Sequence, residues 1–146
     1  MDWGRKSPGD LPREGARVVL HYYHNHAAAL ETQDFSPTVD SIVPKADLTK
    51  EEEVEGLFRA AEEKLGPVEL LVANAGIWES QAVGIQDMTL SQWTLMLTTN
   101  LTSVFLCMRE FFKLIILHRF EAFSAVIVGS TAGVFGEVGH ADYAAT

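Results

Sequence analysis

The sequence predicts an α/β fold, a parallel sheet with helices against it, on three observations. Short apolar runs stand at 16–23, from Ile42 onward, at 68–73 and at 125–128, as strands require, the last of them β-branched and suited to a buried strand. Between them lie segments in which apolar residues recur at the helical period, at 51–65 and 92–118. Two of the runs stop in small or polar residues, Asn74-Ala75-Gly76 and Gly129-Ser130-Thr131. Strands alternating with helices imply right-handed crossovers and parallel pairing. In such open sheets ligands bind beyond the carboxyl ends of the strands.

Composition narrows the function. A chain of 146 residues suffices for one domain with a real core. A formal net charge of −9 argues against non-specific nucleic-acid binding, which needs a basic footprint. Cys107 is the single cysteine, so no internal disulfide can form, and a reducing, cytoplasmic setting is expected. No apolar run reaches the length of a membrane span, and the first residues are too polar for a signal peptide.

Taken in order, residues 1–14 carry Gly4, Pro8, Gly9 and Pro12 among mixed charges and read as an irregular arm. The run at 16–23 is the first strand, closed by His24-Asn25-His26, and a short helical piece covers 27–31. A second strand begins at Ile42-Val43 and runs into Ala46-Asp47. His21, His24 and His26 lie close together, but no further ligand or matching cluster accompanies them; they are read as strand-end and loop residues, with no metal. Thr49-Lys50-Glu51-Glu52 reads as a capping box, with the Thr49 hydroxyl as N-cap and Glu52 at N3. Val54, Leu57, Phe58, Ala61 and Leu65 share the apolar face that follows, and Gly66-Pro67 ends the helix. The run at 68–73 is the strongest strand. Thr89 to Gln92 can cap a long helix reaching about His118, with the stripe Trp93, Leu97, Leu101, Val104, Met108, Phe111 and Ile115. Asn100 lies on the stripe's side, and a buried amide must be hydrogen-bonded. Cys107 and Met108 read as packing residues. The whole is a Rossmann-like layer arrangement.

Ser130 and Tyr143, with twelve residues between them, follow the last strand. With Asn74-Ala75-Gly76 and Asn100 in the same order, this pattern resembles the short-chain dehydrogenase/reductase family over residues 15–146. The resemblance implies a partial NAD(P)-binding Rossmann domain and hydride transfer between a nicotinamide and a carbonyl or alcohol, with a 3-oxoacyl ketone as one candidate. It implies that Tyr143 gives its proton to the carbonyl oxygen, that Ser130 holds that oxygen, and that Asn100 anchors a relaying water. Asp47 resembles the residue that contacts the adenine. Asn74, Ala75 and Gly76, with Tyr143, resemble the remaining cofactor-binding positions; Ala73 stands where the family pattern has another Asn. Tyr23-His24-Asn25 offers no carboxylate for a ribose 2′-hydroxyl, which favours NADP(H) over NAD(H). The implied partner is a small-molecule carbonyl or alcohol, with no nucleic acid and no membrane, in a homo-oligomer assembled through helix 92–118.

Two parts of the family pattern have no counterpart here. One is a first strand with a glycine-rich phosphate loop. The other begins at a Lys four positions after the Tyr and includes the C-terminal strands. The chain is therefore expected to be truncated at both ends. A nearby cation favours a phenolate, so Tyr143 without that Lys is poorly tuned for acid–base work near neutral pH. As this fragment it is expected to be inactive or impaired. The alternative is a non-catalytic fragment that acts as an interaction module with a full-length relative. Without the first strand, two strand edges should lack partners.

Overall fold

The computed structural model describes residues 16–34 and 40–146; the predicted arm lies outside them. β1 (Val18–Val19) pairs in parallel with β2 (Ser41–Ile42), and a bridge between Tyr22 and Lys45 prolongs the pair. α1 (His26–Asp34) connects them. α2 (Glu51–Leu65) leads to β3 (Leu70–Ala73), which pairs in parallel with β4 (Ser124–Ile127) in the register Leu70 to Ser124. Between β3 and β4 the chain crosses over through α3 (Leu90–Leu97), a π-helical turn (Thr98–Thr102) and α4 (Ser103–His118). Two short helices, α5 (Ala132–Phe135) and α6 (Ala141–Ala144), follow. The described strands form two separate two-stranded sheets.

The core lies between α2, α4 and one face of β3. Val54 and Phe58 from α2 meet Leu106, Cys107, Phe111, Leu114 and Ile115 from α4, and Leu71 packs against them. Strand alternation explains the β3 contribution: Leu71 and Ala73 point towards the helices, while Leu70 and Val72 are exposed. Polar links flank the core. Arg109 bonds Glu51 at 2.7 Å and His118 lies 2.6 Å from Glu62, both joining α4 to α2. Glu110 is buried but paired with Arg109 and Lys113, which meets the cost of removing its charge from water.

Three local expectations are corrected. The 125–128 run, read as a buried strand, is exposed along β4, with Val126, Ile127 and Val128 about half open. An apolar run records a need for cover; it cannot record whether a second layer is there. The capping box is displaced. Lys50 is the N-cap of α2 and has no side-chain cap. The Thr49 hydroxyl instead donates to Asp47 Oδ1, and the Asp47 amide donates to the Glu53 carboxylate. Asp47 also accepts from the Thr49 amide, a short-range turn that outcompetes the hydroxyl cap. Finally, the long helix is interrupted at Thr98–Thr102. Phe111 and Ile115 of the expected stripe are buried, with Leu106, Cys107 and Leu114 beside them, whereas Leu101, inside the π turn, is exposed. The Thr89 cap holds as expected, its hydroxyl accepting from the Gln92 amide at 3.1 Å.

Burial pushes the Cys107 thiol up to about 11, which keeps it protonated and shielded. Iodoacetamide at pH 8 is expected to leave native Cys107 unlabelled and to label it fully in urea. Rapid native labelling would show that α4 is not packed on α2.

Candidate active site

The carboxyl ends of the four strands carry the candidate residues. Asp47 follows β2. Its carboxylate is held below the usual range chiefly by the Thr49 hydroxyl, with the Thr49 amide adding to it against the opposing effect of burial. Tyr23, past β1, stands beside Asp47, and that negative charge pushes its phenol pKa up. A cleft of about 410 Å³ opens here, lined by residues that include Tyr22, Tyr23, His24 and Asn25. The three neighbouring histidines are otherwise engaged: His21 Nε2 lies 2.8 Å from the Ala46 carbonyl, His26 stacks on Tyr22 and His24 packs on Tyr23. Among the described residues no group of three metal-ligating side chains converges.

Asn74-Ala75-Gly76 follows β3, and Asn100 secures it from the π turn. Asn100 Oδ1 accepts from the Ile77 amide at 2.8 Å, and Nδ2 donates to the Ile77 carbonyl at 3.0 Å. This pairing satisfies the amide that the sequence places on the inner side. The wide turn is what delivers it: a π insertion re-aims one side chain without ending the helix. Gly76 lies under Asn100, where an added Cβ would come within 3.3 Å of Oδ1. Nδ2 also lies 3.5 Å from the Thr146 hydroxyl, which donates to the Tyr143 carbonyl at 2.9 Å. Asn100 thus ties the β3 loop to the turn that bears Tyr143.

Ser130 stands apart from this chain of contacts. It is exposed on the loop after β4, and its Oγ accepts from the Ala132 amide at 3.2 Å. Its own proton remains available. No hydrogen bond joins it to Tyr143 among the described residues. α5 packs on α6, so both hydroxyl groups belong to one local unit.

Several neighbours of Tyr143 escaped the sequence reading. Trp78 meets the Tyr143 ring edge-on at 4.6 Å and the His140 ring at 4.1 Å. Asp142 is buried; Gln92 donates to it at 3.0 Å from α3, and the Tyr143 amide donates to its other oxygen. Val83 donates to the Gly139 carbonyl at 2.8 Å, so the loop after Trp78 returns to the segment before Tyr143. Gly139 has φ +77°, and an added Cβ would stand 2.6 Å from the Ala82 Cβ. Both the backbone conformation and the space demand glycine. Gly139→Ala is expected to cost about 1–3 kcal/mol in urea unfolding, and an unchanged midpoint would show that this loop contact does not form in solution.

Comparison with known proteins agrees with this fold. A family model described as short chain dehydrogenase matches residues 4–146. The chain belongs to the short-chain dehydrogenase family. A short-chain type dehydrogenase/reductase of Picea abies is 33% identical over 121 residues, covering 77% of this chain and 45% of that relative. An uncharacterized oxidoreductase, YgfF, of Escherichia coli is 33% identical over 147 residues, covering 98% of this chain and 59% of the relative. A 3-oxoacyl-[acyl-carrier-protein] reductase of Synechocystis is 28% identical over 144 residues. A doubly substituted short-chain dehydrogenase/reductase of Serratia marcescens superposes with a TM-score of 0.85 at 26% identity, covering 97% of this chain and 57% of that one. The chain thus spans 45% to 59% of the length of these curated relatives and that structure.

Proposed function

We propose that this chain is part of an NAD(P)(H)-dependent oxidoreductase that transfers hydride to a small carbonyl compound. The observation that carries the reading is the two-bond clamp of Asn100 on Ile77, which brings the Asn74 to Gly76 loop and the Tyr143 turn together. Tyr143 donates its phenolic proton to the carbonyl oxygen, and Ser130, with a free proton on its hydroxyl, holds that oxygen. Asn100, in the turn between the two loops, anchors a proton-relaying water. A nicotinamide, when bound, supplies the hydride. The residues fit such a group: Asp47 and the cleft at Tyr23 to Asn25 suit its adenosine end, and the small residues Ala75 and Gly76 let it approach the backbone. Tyr23-His24-Asn25, past β1, offers no carboxylate for a ribose 2′-hydroxyl, which favours NADP(H). A 3-oxoacyl thioester belongs among the ketones to test, because the Synechocystis relative is named for that substrate. We place the protein in the cytoplasm.

Because the relatives are nearly twice as long, the proposal includes impaired turnover for these 146 residues alone. A second reading is favoured by the outer face of α4, where Phe105, Phe112, Ile116 and Leu117 are exposed beside Phe123. It makes the chain an interaction module that docks on a longer relative, or on a second copy, through α4.

The test is the intact mass of the protein from its own cells, followed by NADPH and NADH oxidation with a panel of ketones. A mass well above 16.1 kDa with NADPH-dependent turnover supports the first reading. A 16.1 kDa protein that consumes neither cofactor and co-elutes with a longer relative supports the second.

A further inference from the structure

Trp78 combines two properties that rarely coincide: it is rigidly held, yet 48% of its surface is open. Its backbone is fixed from one side, because both polar groups of the preceding Ile77 are clamped by Asn100. Its indole is fixed from the other, against the rings of His140 and Tyr143. His140 is itself buried, and the Val83 to Gly139 hydrogen bond pins the loop behind it. An aromatic side chain has only two rotatable bonds, and packing against two rings removes most of that freedom. A ligand touching the open part of the indole therefore loses little entropy in ordering it.

We propose that Trp78 is the specificity-determining wall beside the Tyr143 phenol, favouring carbonyl compounds that carry an aromatic ring. The inference rests on the oxidoreductase reading and deepens it. A carbonyl oxygen that accepts the Tyr143 proton must lie near that ring, and the Trp78 ring centroid is 4.6 Å from it. The substituent on the carbonyl carbon then lies against the indole. Aromatic pairs in edge-on or offset contact gain about 0.5–1.5 kcal/mol beyond the area they bury. A short alkyl group gains only its area.

The experiment compares kcat/KM for acetophenone and for butanone, in the protein as its cells make it and in its Trp78→Ala and Trp78→Phe variants. Trp78→Ala is expected to lower the acetophenone-to-butanone ratio about tenfold, and Trp78→Phe to keep most of it. Using the ratio cancels any general loss of folding or of Tyr143 placement. Binding gives a readout without turnover: acetophenone is expected to quench indole fluorescence in the unaltered protein, and this saturable component should be absent from Trp78→Phe. Turnover with an unmoved ratio in Trp78→Ala, or equal loss in Trp78→Phe and Trp78→Ala, overturns the inference and leaves the oxidoreductase reading standing. A preference for a 3-oxoacyl thioester over acetophenone that Trp78→Ala does not alter also overturns it. No cofactor consumption with any carbonyl overturns both.

Discussion

Tyr143→Phe is expected to lower kcat for carbonyl reduction by about 10²–10⁴-fold while leaving KM within a few-fold of its starting value. The change removes one oxygen and keeps the ring, so the edge-on contact with Trp78 survives. The backbone tethers of this turn also survive, because they use the Tyr143 amide and carbonyl rather than the hydroxyl. The phenolic oxygen has no hydrogen-bond partner among the described residues, and no buried polar atom is left unpaired by its loss. The variant should therefore unfold at the same urea concentration. Loss confined to kcat is the mark of a group that acts in the transition state alone. A variant that keeps more than half of its turnover would remove Tyr143 as the proton donor. Ser130→Ala offers a contrast. Its hydroxyl also accepts from the Ala132 amide, so this change should disturb the α5 turn as well as the carbonyl oxygen.

The site was legible in the sequence as spacing, and illegible as mechanics. Asn74 to Gly76, Asn100, Ser130 and Tyr143 stand in an order that marks them out. That Asn100 reaches Ile77 depends on a π turn, and Thr98-Thr99-Asn100 carries no signal distinguishing a π turn from an α-helical one. Beyond the turn the predicted Phe111 and Ile115 are still buried, while Leu101 within it is not. Trp78 carries no local signal, because its partners, His140 and Tyr143, lie more than sixty positions away. Gln92 could be read as part of a cap, but its bond to Asp142 spans fifty positions and leaves no local trace. Elements held by local chemistry fared better. The period of α2, the Thr89 cap and the apolar run of β3 all produced the structures they predict. β4 shows the limit from the other side: its apolar run specified a strand, and cover is supplied by neighbours it does not encode.

Phe111→Ala is expected to cost about 3–5 kcal/mol of stability, while Phe112→Ala, one position on, should cost about 1 kcal/mol or less. The two residues share chemistry and helix, and differ in the face they occupy. Phe111 is wholly buried in the cluster formed with Val54, Phe58, Leu106 and Leu114. Its loss leaves a void among the α2 and α4 side chains packed around it. Phe112 is 41% exposed and touches Phe123 only edge-on. Domains are stable by only about 5–15 kcal/mol, so the first change removes a large share of the total. Urea unfolding of both variants, at several protein concentrations, decides what α4 is for. If Phe111 dominates and the midpoints do not move with concentration, the stabilising contact is the internal one between α2 and α4. If Phe112→Ala costs as much as Phe111→Ala, and only at high concentration, the outer face of α4 is an interface in solution. That result would favour the docking reading, because the energy would then reside where the single chain leaves Phe105, Phe112 and Ile116 open to water.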